Sequence, residues 1–307
     1  MRRTAPLLCA VLLLSACGAK GPTPPGRHLV FLRALGTPKQ ALWIADVDGR
    51  RQRELVRGAG TGYVSPDGRF VAFERGLRRA VYLIGSDGSG ERLLTRGVDL
   101  LDWTPDGEHV LALRGRALVS VAVDDGREVV YGRLTGRSLA PYCFSGADLY
   151  VVRLDGTHRR LLFGDGRSSW PVWGRGGIAF RRDVRGCTSG GLWRIRFDGS
   201  GLRPLLLDVP RRFTRFGYYG LVPYHWLDAR RLVIGIHNEW GDNAALLERG
   251  RIRPLRMQLD AVSRDGRFLL GMQGGAEFPY TIAIGAIDGR KPREIARGRV
   301  CCPHWNR

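Results

Sequence analysis

The segment Val64–Gly76 (VSPDGRFVAFERG) recurs in altered form along the whole chain, and that recurrence restricts the fold more than any other feature. Pro66 presets the φ of a turn's first central position, Asp67 can bond back to the backbone, and Gly68 accepts positive φ. Phe70–Phe73 then form a short apolar run of strand-forming residues, closed by Glu74, Arg75 and Gly76. Ahead of this segment, His28–Arg33 reads as a strand. Ala41–Gly49 and Arg51–Val56 read as a hairpin around an Asp-Gly turn, and Ala80–Thr95 repeats it. The same order returns at Leu100–Gly115 with Ala117–Gly132, at Trp170–Asp183 with Leu192–Leu206, at Tyr224–His237 with Ala244–Leu255, and at Leu259–Met272 with Thr281–Ile295. Between these, Ala140–Gly164 is a thinner pass that lacks one strand.

Ser65, Thr104, Ser145, Gly174, Leu227, Ser263 and Asn306 mark equivalent points. Their mean spacing of about 40 residues is the period of a four-stranded propeller blade. Val300–Asn306 (VCCPHWN) reads as the first strand of one more unit, and the N-terminal unit has every strand except the first. Joining the two closes the ring and leaves no open edge. The expected fold is all-β: a propeller of six or seven four-stranded blades, closed by the N- and C-terminal strands. Seven follow if each pass is a blade, and six if the thin fourth pass fuses with a neighbour.

The first residues address a compartment. Arg2 and Arg3 precede an apolar stretch, Ala5–Leu14, that is too short to span a bilayer, and Leu14-Ser15-Ala16-Cys17 follows at once. This LSAC tetrapeptide resembles the lipobox of bacterial lipoproteins. The resemblance implies cleavage before Cys17 and a diacylglyceryl group on its thiol. Each buried CH₂ contributes about 0.8 kcal/mol, and two or more chains anchor stably where one does not. The expected divisions are a signal peptide at 1–16, a lipid-anchored Gly/Pro-rich stalk at 17–27, and the propeller at 28–307.

Four further cysteines, Cys143, Cys187, Cys301 and Cys302, suit an oxidising exterior. Because Cys301 and Cys302 are adjacent, the expectation is that they do not bond each other and that at least one long-range bridge forms. The formal charge of +20 comes almost wholly from arginine, since lysine occurs only at Lys20, Lys39 and Lys291. The arginines are scattered without a long basic run, as on solvated strand edges, and secretion argues against a nucleic-acid partner.

The run SPDGRFVAF, following LWIADVDG, resembles the WD-like repeats of the TolB-type propeller family, over roughly Leu29 to Asn306. The match is sharp at Ser65–Arg69, close at Thr104–Gly107 and weaker at Ser263–Arg267, and the turn motif is largely lost at Phe144–Gly146 and Trp226–Asp228. The resemblance implies the propeller fold. The family's namesake carries an extra α/β domain before its propeller and works with an envelope-spanning complex. This chain has an anchor and a short stalk in that place, so those partners do not carry over.

No GxSxG elbow and no HExxH motif occurs. The Gly-rich Gly85–Glu91 lies between strands without a following Lys-Ser/Thr, which makes it a hairpin turn. Asp46–Gly49 reads as one of the chain's recurrent Asp-Gly turns in preference to a calcium loop. His225 and His304 both precede Trp at matching places on innermost strands, so they are expected to line the channel. A carboxylate–histidine cluster there would mark an enzyme, and Asp102, Asp228, His225 and His304 are its candidates.

The long connection Arg211–Trp226 interleaves Arg211, Arg215, Phe216, Tyr218 and Tyr219, a composition favoured at binding surfaces, and Trp240 in Asn238–Asn243 is a weaker candidate. The expected function is a membrane-anchored, non-catalytic scaffold on the extracytoplasmic side, holding membrane lipid through Cys17. Its expected partner is an envelope protein or a cell-wall polymer, with no cofactor and no metal. The alternative is a propeller lyase or hydrolase acting on a polysaccharide or peptide through channel residues.

Overall fold

The computed structural model describes residues 28–305, except 48, 77–79, 105, 116, 127, 134–146, 152–157, 184–189, 211–212, 214–219, 239–240, 264 and 274–278. Six antiparallel sheets form the blades of a propeller. Blade A joins the last strand, β25 (Val300–Trp305), to β1 (His28–Arg33), β2 (Ala41–Asp46) and β3 (Arg53–Arg57). Blade B is β4 (Ala59–Val64), β5 (Phe70–Arg75), β6 (Ala80–Gly85) and β7 (Arg92–Arg96). Blade C is β8 (Asp99–Trp103), β9 (His109–Arg114), β10 (Ala117–Ala122) and β11 (Glu128–Arg133). Blade D holds five strands: β12 (Ala147–Val151), β13 (Arg160–Gly174), β14 (Gly177–Asp183), β15 (Gly190–Ile195) and β16 (Arg203–Leu206). Blade E is β17 (Gly220–Trp226), β18 (Arg231–Asn238), β19 (Gly241–Glu248) and β20 (Arg251–Gln258). Blade F is β21 (Ala261–Val262), β22 (Phe268–Gln273), β23 (Tyr280–Ala286) and β24 (Arg293–Gly298).

The ring closes as the termini foretell, because β1 pairs antiparallel with β25. The count is six because the thin fourth pass fuses with the fifth. Its hairpin, β12 with the first half of β13, joins blade D through β13, whose second half pairs with β14. The second and third strands of a blade are covered on both faces by neighbouring blades. They therefore read as continuous apolar runs in place of alternating ones. Val30, Leu42 and Ile44 of blade A pack in this way against Val71 and Phe73 of blade B.

In blades B, C and F the turn after the innermost strand repeats atom for atom. Ser65 Oγ donates to Asp67 Oδ1 at 2.6 Å and accepts from Phe70 N at 3.0 Å, while Gly68 N donates to Ser65 O at 2.8 Å with φ of 73°. Thr104 with Asp106, and Ser263 with Asp265, make the same bonds at 2.6 and 2.7 Å. Burial alone would raise the Asp67 carboxyl, but hydrogen bonds from Ser65 Oγ, Arg69 N and the Arg69 guanidinium hold it below the usual carboxylate range.

A second repeat was not legible as such in the sequence. Arginines on outer strands reach backbone carbonyls in the turn between the third and fourth strands of the next blade. Arg53 bonds to Ser86 O, Arg92 to Val123 O and Arg253 to Ile287 O at 3.1 Å, while Arg160 of β13 makes the like bond within blade D, to Phe197 O at 2.8 Å. These arginines are exposed on strand edges, as expected, and Arg53, Arg92 and Arg253 in addition clamp one blade to the next.

One expectation is corrected. Cys301 and Cys302 do bond each other. Side chains of neighbouring strand residues normally point to opposite faces. Here Cys302 takes φ of 57°, and the pairing of β25 with β1 slips between Val30 and Leu32. That bulge brings both sulfurs to one side. Cys143 and Cys187 lie outside the described residues.

Candidate functional site

The repeat places one residue per blade on the innermost strand, two positions before the turn: Tyr63, Asp102, Val172, His225, Ala261 and His304. Three of them meet across blades A, B and C. His304 Nε2 lies 3.7 Å from Asp102 Oδ1, and the Tyr63 ring stands edge-on to the His304 ring with centroids 4.4 Å apart. Trp103, next to Asp102, is fixed by an indole N–H bond of 2.8 Å to Tyr63 O. Of the four candidates for a carboxylate–histidine cluster, Asp102 and His304 are brought together.

The other two candidates stand elsewhere. His225 lies against the turn of blade F, where a Cβ on Gly266 would come within 3.3 Å of its Nε2. Asp228 accepts from Arg230 N, Arg231 N and Arg231 Nε at 2.7–2.8 Å, which makes it a turn residue. Those bonds, the one from Arg230 N foremost, hold its carboxyl below the usual range. Cys17, Arg211, Arg215, Phe216, Tyr218, Tyr219 and Trp240 lie outside the described residues.

A denser cluster, missed in the sequence, gathers where blades E and F meet. Asp242, at the start of β19, lies directly opposite His237 near the end of β18. Its Oδ1 is 2.6 Å from His237 Nδ1 and its Oδ2 is 2.5 Å from the Tyr224 hydroxyl of β17. The same hydroxyl is 3.0 Å from Leu259 O, so its single proton goes to one acceptor at a time. Gly235 makes room for this arrangement, since a Cβ there would meet the Asp242 side chain at 2.7–2.9 Å.

Asp260, just ahead of β21, adds a second carboxyl. Its Oδ2 accepts from Met272 N at 2.7 Å. Protein atoms on several sides strip its hydration, and that loss, with the nearby Asp242 charge, pushes its pKa up to about 6 against the opposing Met272 N–H bond. The residue nonetheless stays exposed to solvent. A carboxyl that is half protonated near pH 6, close to a carboxylate–histidine pair, can accept and return a proton.

The signal for this cluster was present in principle. A tight connection between His237 and Asp242 sets the two opposite each other once the hairpin is recognised. Among the described residues, ligand-type side chains also converge at Asp106, Glu108 and His109. Asp106 Oδ1 already serves Thr104 Oγ1 and Glu108 N, so this group is explained by its turn.

No protein-family model and no curated protein matches the chain. Solved structures do. TolB from Acinetobacter baumannii is similar at 16% identity and a TM-score of 0.54, over 91% of this chain and 66% of that one. Oligogalacturonate lyase from Vibrio parahaemolyticus is similar at 13% identity and a TM-score of 0.60, over 85% and 87%. Acylaminoacyl peptidase from Pyrococcus horikoshii is similar at 12% identity and a TM-score of 0.59, over 92% and 52%. The chain thus spans just under two thirds of that TolB and about half of the peptidase.

These likenesses correct the expectation of a non-catalytic protein. The similar structures are mostly propeller enzymes, so neither the fold nor the lack of a familiar sequence motif argues against catalysis. At these identities they establish architecture alone. By that architecture, the chain is a six-bladed β-propeller of the TolB-like kind.

Proposed function

We propose that the chain is an extracytoplasmic propeller, tethered to a membrane through lipid on Cys17, that binds an envelope protein segment or cell-wall polymer at the polar cluster where blades E and F meet. The observation behind this reading is the convergence of Tyr224, His237, Asp242 and Asp260. Among the described residues, many other polar side chains of the repeat are engaged in turns and clamps. At this cluster such side chains face one another across two blades around a carboxylate with both oxygens engaged. The LSAC tetrapeptide and the Gly/Pro stalk support the tether.

A second reading, turnover of the bound polysaccharide or peptide, is favoured by one specific observation. The Asp260 carboxyl is poised near pH 6 beside the Asp242–His237 pair. Crosslinking of the lipidated chain in intact cells, followed by mass spectrometry, tests the first reading, with Asp242→Asn and Cys17→Ser run alongside. Asp242→Asn is expected to lose the trapped partner at unchanged abundance, and Cys17→Ser to move the protein out of the membrane fraction. Equal capture by wild type and Asp242→Asn would sink the binding assignment. Incubation of the purified protein with cell-wall glycan and peptides decides the second: products formed by wild type and lost in Asp260→Asn would establish turnover.

A further inference from the structure

Among the described residues, no arginine clamp joins blade D to blade E. Arg203 of β16, in Arg203-Pro204-Leu205, matches Arg253 of β20, in Arg253-Pro254-Leu255. Arg253 reaches Ile287 O in the next blade. Arg203 would need a comparable turn in blade E. Blades A, B and F each use six residues there, whereas blade E turns in two, Arg249 and Gly250, at φ of 49° and 77°. The shortened turn leaves a groove of about 260 Å³ in place of a clamp.

Four guanidinium groups, from Arg194, Arg203, Arg230 and Arg249, line this groove over Trp226 and Leu247. Arg194 and Arg203 lie directly opposite each other in the ladder between β15 and β16. Like charges in that register destabilise a sheet. Burial first, then the charges of Arg203 and Arg196, lower the proton affinity of Arg194. Among the described residues, none of the four forms an ion pair with a carboxylate. Cations concentrated over an apolar floor without counter-charge fit a ligand that supplies the missing negative charge and an apolar portion.

We propose that the groove between blades D and E binds an amphiphilic anion, its phosphate or carboxylate held between Arg194 and Arg203 and its first carbons lying on Trp226 and Leu247. Guanidinium forks match both oxyanions. The volume is below that of a drug-sized pocket, so the site takes a headgroup and a few carbons. Such a ligand can be a soluble amphiphile or the headgroup region of a membrane lipid.

Calorimetric titration of the full chain with octyl phosphate and octanoate tests this, with octanol and inorganic phosphate as half-probes. Octyl phosphate is expected to saturate one site, with each half-probe at least about tenfold weaker. Arg194→Gln and Arg203→Gln should each weaken binding by roughly fivefold or more. Each should also raise the melting temperature of the ligand-free protein by about 1 °C, because a like-charge pair is relieved. A merely structural arginine would shift stability the other way. Arg290→Gln, in the distant turn of blade F, should change neither quantity.

Flotation of the unlipidated Cys17→Ser chain with phosphatidylglycerol vesicles separates the sources, since no anchor then holds it to the bilayer. Flotation lost in Arg194→Gln assigns the ligand to a lipid headgroup, and octyl phosphate binding without flotation assigns it to a soluble amphiphile. The proposal is overturned if octyl phosphate binds no better than octanol, or if both arginine variants bind it as wild type does.

Discussion

Asp260 makes the stability of the ring depend on pH in a way that one substitution isolates. Its carboxyl rises from 3.8 in the unfolded chain to about 6 in the folded one. A rise of about two units corresponds to about 3 kcal/mol disfavouring the ionised form. The exposed edge of the residue lets solvent screen that charge, which reduces the realised cost to about 1 kcal/mol. The sign follows from linkage. Folding favours the protonated acid, so Asp260 costs nothing below about pH 4; the cost grows as pH rises through about 6 and is constant above about 7.

Asp260→Asn removes the titrating proton while keeping an oxygen for the Met272 N–H. Thermal melts of both proteins across that range should therefore coincide near pH 4. They should separate to about 2 °C in favour of Asp260→Asn above pH 7. A stability difference independent of pH, or a variant less stable than wild type above pH 7, would refute the reasoning.

Three further outcomes are expected. Gly176→Ala places a Cβ within 2.5–2.7 Å of Trp226 ring atoms in the next blade. It should lower stability by about 2 kcal/mol in denaturant titrations, with little change in the cooperative slope. Ser65→Ala removes the hydroxyl shared by Asp67 Oδ1 and Phe70 N, for a loss of about 1 kcal/mol. By carboxyl NMR, the Asp67 pKa should move up towards its ordinary value. Peptide mapping should find Cys301 and Cys302 unreactive to alkylation until a reductant is added. Their replacement together by alanine should cost no more than about 1 kcal/mol, because so small a loop restricts the unfolded chain little.

The fold was legible because its determinants are local. Ser65, Asp67 and Gly68 make their turn with each other and with Phe70, so the motif predicts the geometry wherever it recurs. The blade count was not fixed by local signals. Whether β12 and half of β13 stand alone or join β14 depends on which edges find partners, and that is a long-range matter. Asp102 and His304 were named as candidates, but only the closed ring puts residues so far apart in sequence within 3.7 Å. The cluster at Asp242 escaped because His237 belongs to a hairpin whose register the sequence did not declare. The bond between Cys301 and Cys302 escaped because a bulge and a positive φ overrode the alternation of strand side chains.

Sequence by itself determined the repeat, the turn chemistry and the pairing of the two chain ends, since each rests on short-range hydrogen bonding and on strand patterning. Tertiary structure alone decided what the arginines do. Identical residues in equivalent positions became a clamp where the next blade offered a turn carbonyl, as at Arg253, and an uncompensated charge where it did not, as at Arg203. The difference lies in the length of a neighbouring turn. A guanidinium's partner is set by what the adjacent blade presents, and no residue near it in the chain encodes that.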